Sequence, residues 1–214
     1  MSATQSGREV AQRAFATEFA DATHQFQESD EERAPKYGLL PTGERANRVF
    51  AVGTLTETED IGNDSEYWQA RVVDPTGTFF VYAGQYQPDA MAFLREADAP
   101  QYVAVVGKPS TYETENEDGE METYVSIRPE TIRSVDEVTR DRWVAETAEQ
   151  TLERTEAFLA QRGALDDVEV DVDAAALAPE FERARSEYGV DVSPYHEAAT
   201  DALSGLLSED DAAD

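Results

Sequence analysis

Between residues 47 and 128 apolar and polar side chains alternate in short runs with the period of two that strands require, and outside that stretch the spacing lengthens to that of helices. The β-branched and aromatic runs, divided by turn residues, predict five strands at about 47–58, 66–73, 78–86, 101–113 and 121–128. Pro88 stands at a helix start before Met91, Phe93 and Leu94, so one short helix ending near Pro100 falls between the third and fourth strands. Asp118-Gly119 marks a hairpin turn between the last two strands, within an acidic and mobile loop from Glu115 to Glu120.

Three strands, a helix and two further strands is the order of an OB-type barrel, so the expected class is α+β: a five-stranded OB-type β-barrel with an N-terminal helix and C-terminal helices. The N-terminal helix is read over residues 8–27, where Val10, Ala14, Phe15, Phe19, Ala22 and Phe26 recur at helical spacing. Glu28 to Arg33 end it, and Pro35, Gly38, Pro41 and Gly43 mark an irregular connection. After the barrel, residues 138–162 predict a long helix with a modest stripe of Val144, Ala148, Thr151, Leu152, Thr155, Phe158 and Leu159, stopped by Gly163. A stripe this weak suits docking onto another element or another chain, and its place directly after the barrel favours a partner subunit. Residues 166–173 alternate acid and valine, 174–188 and 194–207 read as helices, and 208–214 as a disordered acidic tail. The chain therefore divides into a helix and linker (1–35), the barrel domain (36–136), the post-barrel helix (137–163), a helical region (164–207) and the tail (208–214).

The run from Tyr67 to Ala83 carries the functional reading. Asp74-Pro75-Thr76-Gly77 sets a tight turn, which places Val73 opposite Thr78 and fixes the register. Opposed residues share a face, so Trp68 with Ala83, Ala70 with Val81 and Val72 with Phe79 form a wholly apolar side, the barrel interior. The other side carries Tyr67, Gln69, Arg71, Phe80 and Tyr82. Solvent-facing strands do not need such rings, and the outer face of strands two and three is where OB barrels bind oligonucleotides. Bases stacked on exposed rings contribute roughly 1–3 kcal/mol each. Cover by a partner subunit or by the N-terminal helix is the alternative use of the same rings.

Charge changes the picture of the environment. With 46 acidic and 17 basic residues the formal net charge is −29, and self-repulsion on that scale loosens a compact fold unless salt screens it. At about 1 M salt the Debye length falls to ~3 Å, which points to a salt-filled cytoplasm. Lys36 and Lys108 are the only lysines; the remaining cations are arginines, whose weaker hydration and planar fork suit pairing with carboxylates. An acidic scaffold or chaperone is the competing reading, but acidic blocks in such proteins cluster as tails. In strong salt the counterion-release contribution to DNA affinity is nearly exhausted, so an acidic protein that binds by stacking loses little. Arg48, Arg71, Lys108 and Arg128, with Arg45, stand near the strands to line a groove.

The absence of cysteine removes disulfides, thiolate metal sites and cysteine nucleophiles. His24 and His196 are isolated, no phosphate loop or nucleophile elbow occurs, and 46 acids guarantee carboxylate pairs by chance. Neither an enzyme, a cofactor nor a metal site is expected. No stretch approaches the ~18 apolar residues of a membrane span and no signal pattern opens the chain, so a cytoplasmic protein without membrane contact is expected.

Arg48-Val49-Phe50-Ala51-Val52-Gly53-Thr54-Leu55 and the run Val73 to Tyr86 resemble the replication protein A-associated proteins of haloarchaea, a likeness spanning about residues 36 to 160. The resemblance implies an OB-fold subunit that accompanies a larger replication protein A subunit on single-stranded DNA, in replication, recombination and repair. The Asp-x-Thr-Gly turn before an aromatic strand also resembles the smaller subunits of eukaryotic replication protein A, in which a helix after the barrel mediates assembly; Val138 to Arg162 stands in the matching place. A structural partner that never touches DNA and an RNA-binding OB module remain open alternatives at this point.

Overall fold

In the computed structural model, which describes residues 9–29, 34–115, 119–166, 179–189 and 191–213, the elements run α1 (Ala16–Ala20), β1 (Gln25–Gln27), β2 (Lys36–Leu39), β3 (Arg45–Ala46), β4 (Val49–Asp60), β5 (Trp68–Asp74), β6 (Gly77–Ala83), α2 (Pro88–Glu96), β7 (Gln101–Glu115), β8 (Met121–Ser134), α3 (Glu137–Asp166), α4 (Pro179–Tyr188) and α5 (Ser193–Ala213). The five strands from β4 onward close into a barrel in the order β4-β5-β6-β8-β7, with β6 and β8 parallel and every other pair antiparallel. Order, closure and the intervening α2 are those of the expected OB-type barrel. Turn chemistry sets the register: Val73 pairs with Thr78, Val72 with Phe79, Ala70 with Val81 and Trp68 with Ala83.

Alternation sends Ala51, Leu55, Ala70, Val72, Phe79, Val81, Val103, Val105 and Ile127 inward, all buried, each of the side chains larger than alanine contributing about 1.5–3 kcal/mol of apolar transfer. An aromatic group adjoins them. Phe15 meets Trp143 edge-on at 5.7 Å, Phe19 lies 5.6 Å from Phe79, and Trp143 Nε1 donates to the Phe50 carbonyl at 2.9 Å. Trp143 thus anchors α3 to the chain's own barrel.

The N-terminal segment departs from the expected helix over 8–27. Its apolar residues Ala14, Phe15, Phe19 and Ala22 are buried as the spacing implied, yet the backbone is helical only in α1. Main-chain pairing with the barrel competes successfully with the helix. Gln12 N–H donates to the Arg48 carbonyl and the Gln12 carbonyl accepts Phe50 N–H, both at 2.8 Å, and Asp74 Oδ2 accepts Ala16 N–H at 2.8 Å. The other oxygen of Asp74 takes three donors from its own turn, Thr76 N–H, Thr76 Oγ1 and Gly77 N–H, so one buried carboxylate ties the hairpin turn to the N-terminal segment. Farther on, the expected irregular connection contains β2 and β3, which join β1 in a small three-stranded sheet.

The C-terminal helices close on that sheet. Leu39, Phe158, Phe181, Ala184, Val192 and Tyr195 form a second buried cluster, and Tyr188 Oη donates to the Leu39 carbonyl while accepting His24 N–H, each at 2.8 Å. The stripe read as partner-binding is consumed here: Val144, Ala148, Thr151, Thr155 and Phe158 are buried within the chain, Leu152 is half-buried, and Leu159 alone of the seven is exposed. Arg154 reinforces it, donating to the fully buried Glu18 at 2.6 Å and to Thr42 Oγ1 at 3.0 Å. The stripe looked too weak because its threonines and alanines, poor in apolar area, are the small residues that let helices approach. Gly163 does not stop α3, which continues to Asp166, and the expected tail is helical through Ala213 as the end of α5. The acid-valine alternation over 167–173 lies outside the described residues.

Candidate nucleic-acid interface

The register that buries Phe79 turns its neighbours outward. On the outer face Arg71 sits opposite Phe80 and Gln69 opposite Tyr82, with the Arg71 guanidinium over the Phe80 ring at 5.7 Å. Tyr82 is held by Gln69, whose Nε2 donates to the phenol oxygen at 2.7 Å. Tyr67 stacks on Tyr82, centroids 5.8 Å apart and planes inclined by 13°. Two local devices seat it. Asp60 Oδ1 accepts Tyr67 N–H and Gly62 N–H, each at 3.0 Å, which closes the β4–β5 loop and holds the Asp60 carboxyl below its ordinary range. Gly84 leaves room for the ring, because a Cβ there would lie 2.9 Å from Tyr67 Cδ2.

Sequence reading placed two cations, Lys108 and Arg128, but no aromatic site residue on the β7–β8 hairpin, and the structure extends the row of rings across it. Tyr112 and Tyr124 are directly paired and stacked at 5.5 Å, and Tyr82 meets Tyr112 edge-on at 6.2 Å. The result is a ladder, Tyr67-Tyr82-Tyr112-Tyr124, made of two stacked pairs set at right angles. Three of its rings keep much of their surface in water, 43% for Tyr67 and Tyr112 and 37% for Tyr124. Desolvation, followed by hydrogen bonding to Tyr82, pushes the Tyr112 phenol up to about 12, so this ring stays neutral far into the alkaline range. Desolvation likewise raises Tyr67, offset in part by the nearby Arg128 guanidinium. The signal for Tyr112 and Tyr124 was present in the sequence: they stand at equal distances along the chain on either side of Asp118, the first residue of the Asp118-Gly119 pair that marks a hairpin.

Of the expected cations, Lys108 and Arg128 belong to the face and are cross-strand neighbours. Among the described residues neither makes an ion pair. Gly107 permits this close approach, since a Cβ there would lie 2.4 Å from the Arg128 carbonyl oxygen. Arg48 does not join them: its Nε donates to Glu130 at 2.7 Å and a further nitrogen to Asn47, so the side chain is half-buried and committed. Arg45 is likewise engaged by Glu28 and Glu180 beside the small sheet, and Arg71 lies 3.2 Å from Glu57. Two adjoining clefts open beside the ladder. One, about 460 Å³, is bounded by Tyr67, Tyr82, Tyr86 and Arg128 over a floor of Ser110 and Ser126; the other, about 420 Å³, by Tyr86, Gln87, Lys108, Arg128, Asp89 and Glu130. No group of histidines and carboxylates among the described residues is arranged to hold a metal ion, and no described helix is long and apolar enough to cross a membrane.

No protein-family model matches the chain and no curated protein is similar to it in sequence. Among solved structures it is similar to the mitochondrial single-stranded DNA-binding protein of S. cerevisiae, at 21% identity over 42% of this chain and 92% of that one with a TM-score of 0.33. The small single-stranded DNA-binding protein of Streptomyces coelicolor matches at 18% identity over 43% and 95%, with a TM-score of 0.31. An OBody bound to hen egg-white lysozyme matches at 17% identity over 42% and 81%, with a TM-score of 0.34.

Proposed function

We propose that the chain is a non-catalytic single-stranded DNA-binding protein, an OB-type subunit of a replication protein A-like complex acting in replication, recombination and repair in the cytoplasm of a halophilic archaeon. The observation that carries the reading is the tyrosine ladder on the outer face of the barrel, flanked by Lys108 and Arg128, which make no ion pair among the described residues. Base stacking needs no particular sequence and is not screened by salt, so it suits a protein of net charge −29. A larger replication protein A chain is the expected companion. Its contact lies away from the α3 seam, which is closed within this chain; Val138 and Leu207 remain exposed on the helices.

Labelled DNA oligonucleotides and matched RNA strands, offered to the full chain in potassium chloride at about 1 M, test the reading. Saturable DNA binding is expected. Preference for the 2′-hydroxyl strand would turn the assignment to RNA, and failure to bind either, with a companion still copurifying, would leave a structural partner only. Dialysis into dilute buffer tests the environment: the carboxylates lose screening and the fold loosens, whereas an unchanged thermal transition would contradict a halophilic origin.

A further inference from the structure

The two clefts share Tyr86, Gln87 and Arg128, so they form one continuous trough running from the Tyr67–Tyr82 pair to Lys108. Tyr86 stands at its rim on the β6–α2 turn and is 84% exposed, the most exposed aromatic ring among the described residues. That turn is locked: Gln87 N–H donates to the Gly84 carbonyl at 2.9 Å, and Gly84 N–H donates to Gln87 Oε1 at 3.2 Å. The second bond fixes the Gln87 amide, leaving its Nε2 hydrogens as donors. Charge along the trough is ordered as well. Glu130 is neutralised by Arg48 at 2.7 Å, so Lys108 and Arg128 against Asp89 leave one positive charge in excess, the complement of one phosphodiester on a strongly acidic protein.

We propose that this trough is a nucleotide subsite beyond the ladder: one base of a single strand lies between the Tyr67–Tyr82 wall and Tyr86, and its phosphate rests on Lys108 and Arg128. The subsite rests on the single-strand reading above and assigns Tyr86, Lys108 and Arg128 roles within it. The base is gripped from two sides here, whereas on the ladder each ring offers one free face. The strand then leaves the ladder across β7 and β8 toward α2, rather than along Arg71 and Phe80.

Thymidylate oligonucleotides of increasing length, titrated against the full chain in about 1 M potassium chloride, test this. Tyr86→Ala removes an exposed ring and leaves thermal unfolding unchanged; it is expected to weaken binding roughly 5- to 100-fold and to bring the length plateau down by a nucleotide. Lys108→Gln with Arg128→Gln is expected to reduce the slope of log affinity against log salt by about 0.7, the value for one phosphate contact on a single strand. If Tyr86→Ala binds with unchanged affinity and plateau while Tyr82→Ala is weakened, the subsite is overturned and the ladder stands. If neither substitution matters, the single-strand reading falls with it.

Discussion

Phe79 and Phe80 are adjacent residues of one strand, and their fates are opposite. Phe79 points inward, buried against Phe19 and Trp143, while Phe80 points outward beneath Arg71, in line with Tyr82. The inner row is closed on all sides and contributes to stability; the outer row is half-covered, contributes little, and continues across β7 and β8 as tyrosines. A single strand thus separates folding from binding by the period of two.

The contrast is sharpest where the inner row is cut. Phe79→Ala is expected to destabilise the fold by about 3–5 kcal/mol through lost transfer and a cavity at the aromatic junction, read from thermal or urea unfolding in strong salt. Asp74→Ala comes next. It strands the buried Ala16 donor and the half-buried donors of Thr76 and Gly77, at a cost of about 1–3 kcal/mol, and it should loosen the N-terminal segment first, seen as faster amide exchange at Ala16.

Outer-row changes move other observables. Because Tyr112 is raised to about 12 when folded and an unfolded tyrosine ionises near 10, the unfolded chain releases this proton first as pH rises. Its contribution to stability is therefore present in full below about pH 10 and lost between there and the folded value. Tyrosinate absorbance should show late-titrating phenols, and Tyr112→Phe should remove one equivalent from that late phase. Arg71→Ala should have the smallest effect: the side chain is half-exposed, already paired with Glu57, and worth at most about 1 kcal/mol, less in strong salt. A large loss of oligonucleotide binding in this variant would move the strand onto the Arg71–Phe80 end of the face.

The same contrast explains what the sequence disclosed. The register of the β5–β6 hairpin was legible to the residue, though not the strand ends, because Asp74-Pro75-Thr76-Gly77 defines the turn and strict alternation leaves one possible inner face. Half of the ladder was missed although Tyr112 and Tyr124 lie within the expected strands 101–113 and 121–128: the acidic run between those strands fixes no register by its composition, so the pairing of the two rings was not legible. Arg48 was assigned to the groove by proximity to the strands; only Glu130, distant in sequence, reveals that it is committed. At the N-terminus the apolar spacing identified Ala14, Phe15, Phe19 and Ala22 correctly as buried but not Val10, which is exposed, and it misjudged the backbone, since burial against a barrel selects side chains while pairing of Gln12 with the strand edge at Val49 selects conformation. The α3 stripe failed differently: a weak apolar face reads alike whether its partner is another chain or, as here, the N-terminal segment and α5 of its own.

The most direct test of the ladder is a paired measurement on Tyr82→Ala in strong potassium chloride: oligonucleotide titration and thermal unfolding on the same preparation. Tyr82 touches both Tyr67 and Tyr112, so its loss splits the ladder without opening the core. Binding should weaken by roughly 1–3 kcal/mol per base unstacked while the unfolding midpoint shifts by no more than a surface substitution allows, about 0.5 kcal/mol. A variant that binds DNA as the parent does, or that unfolds like Phe79→Ala, would contradict the assignment of this face to single-stranded DNA.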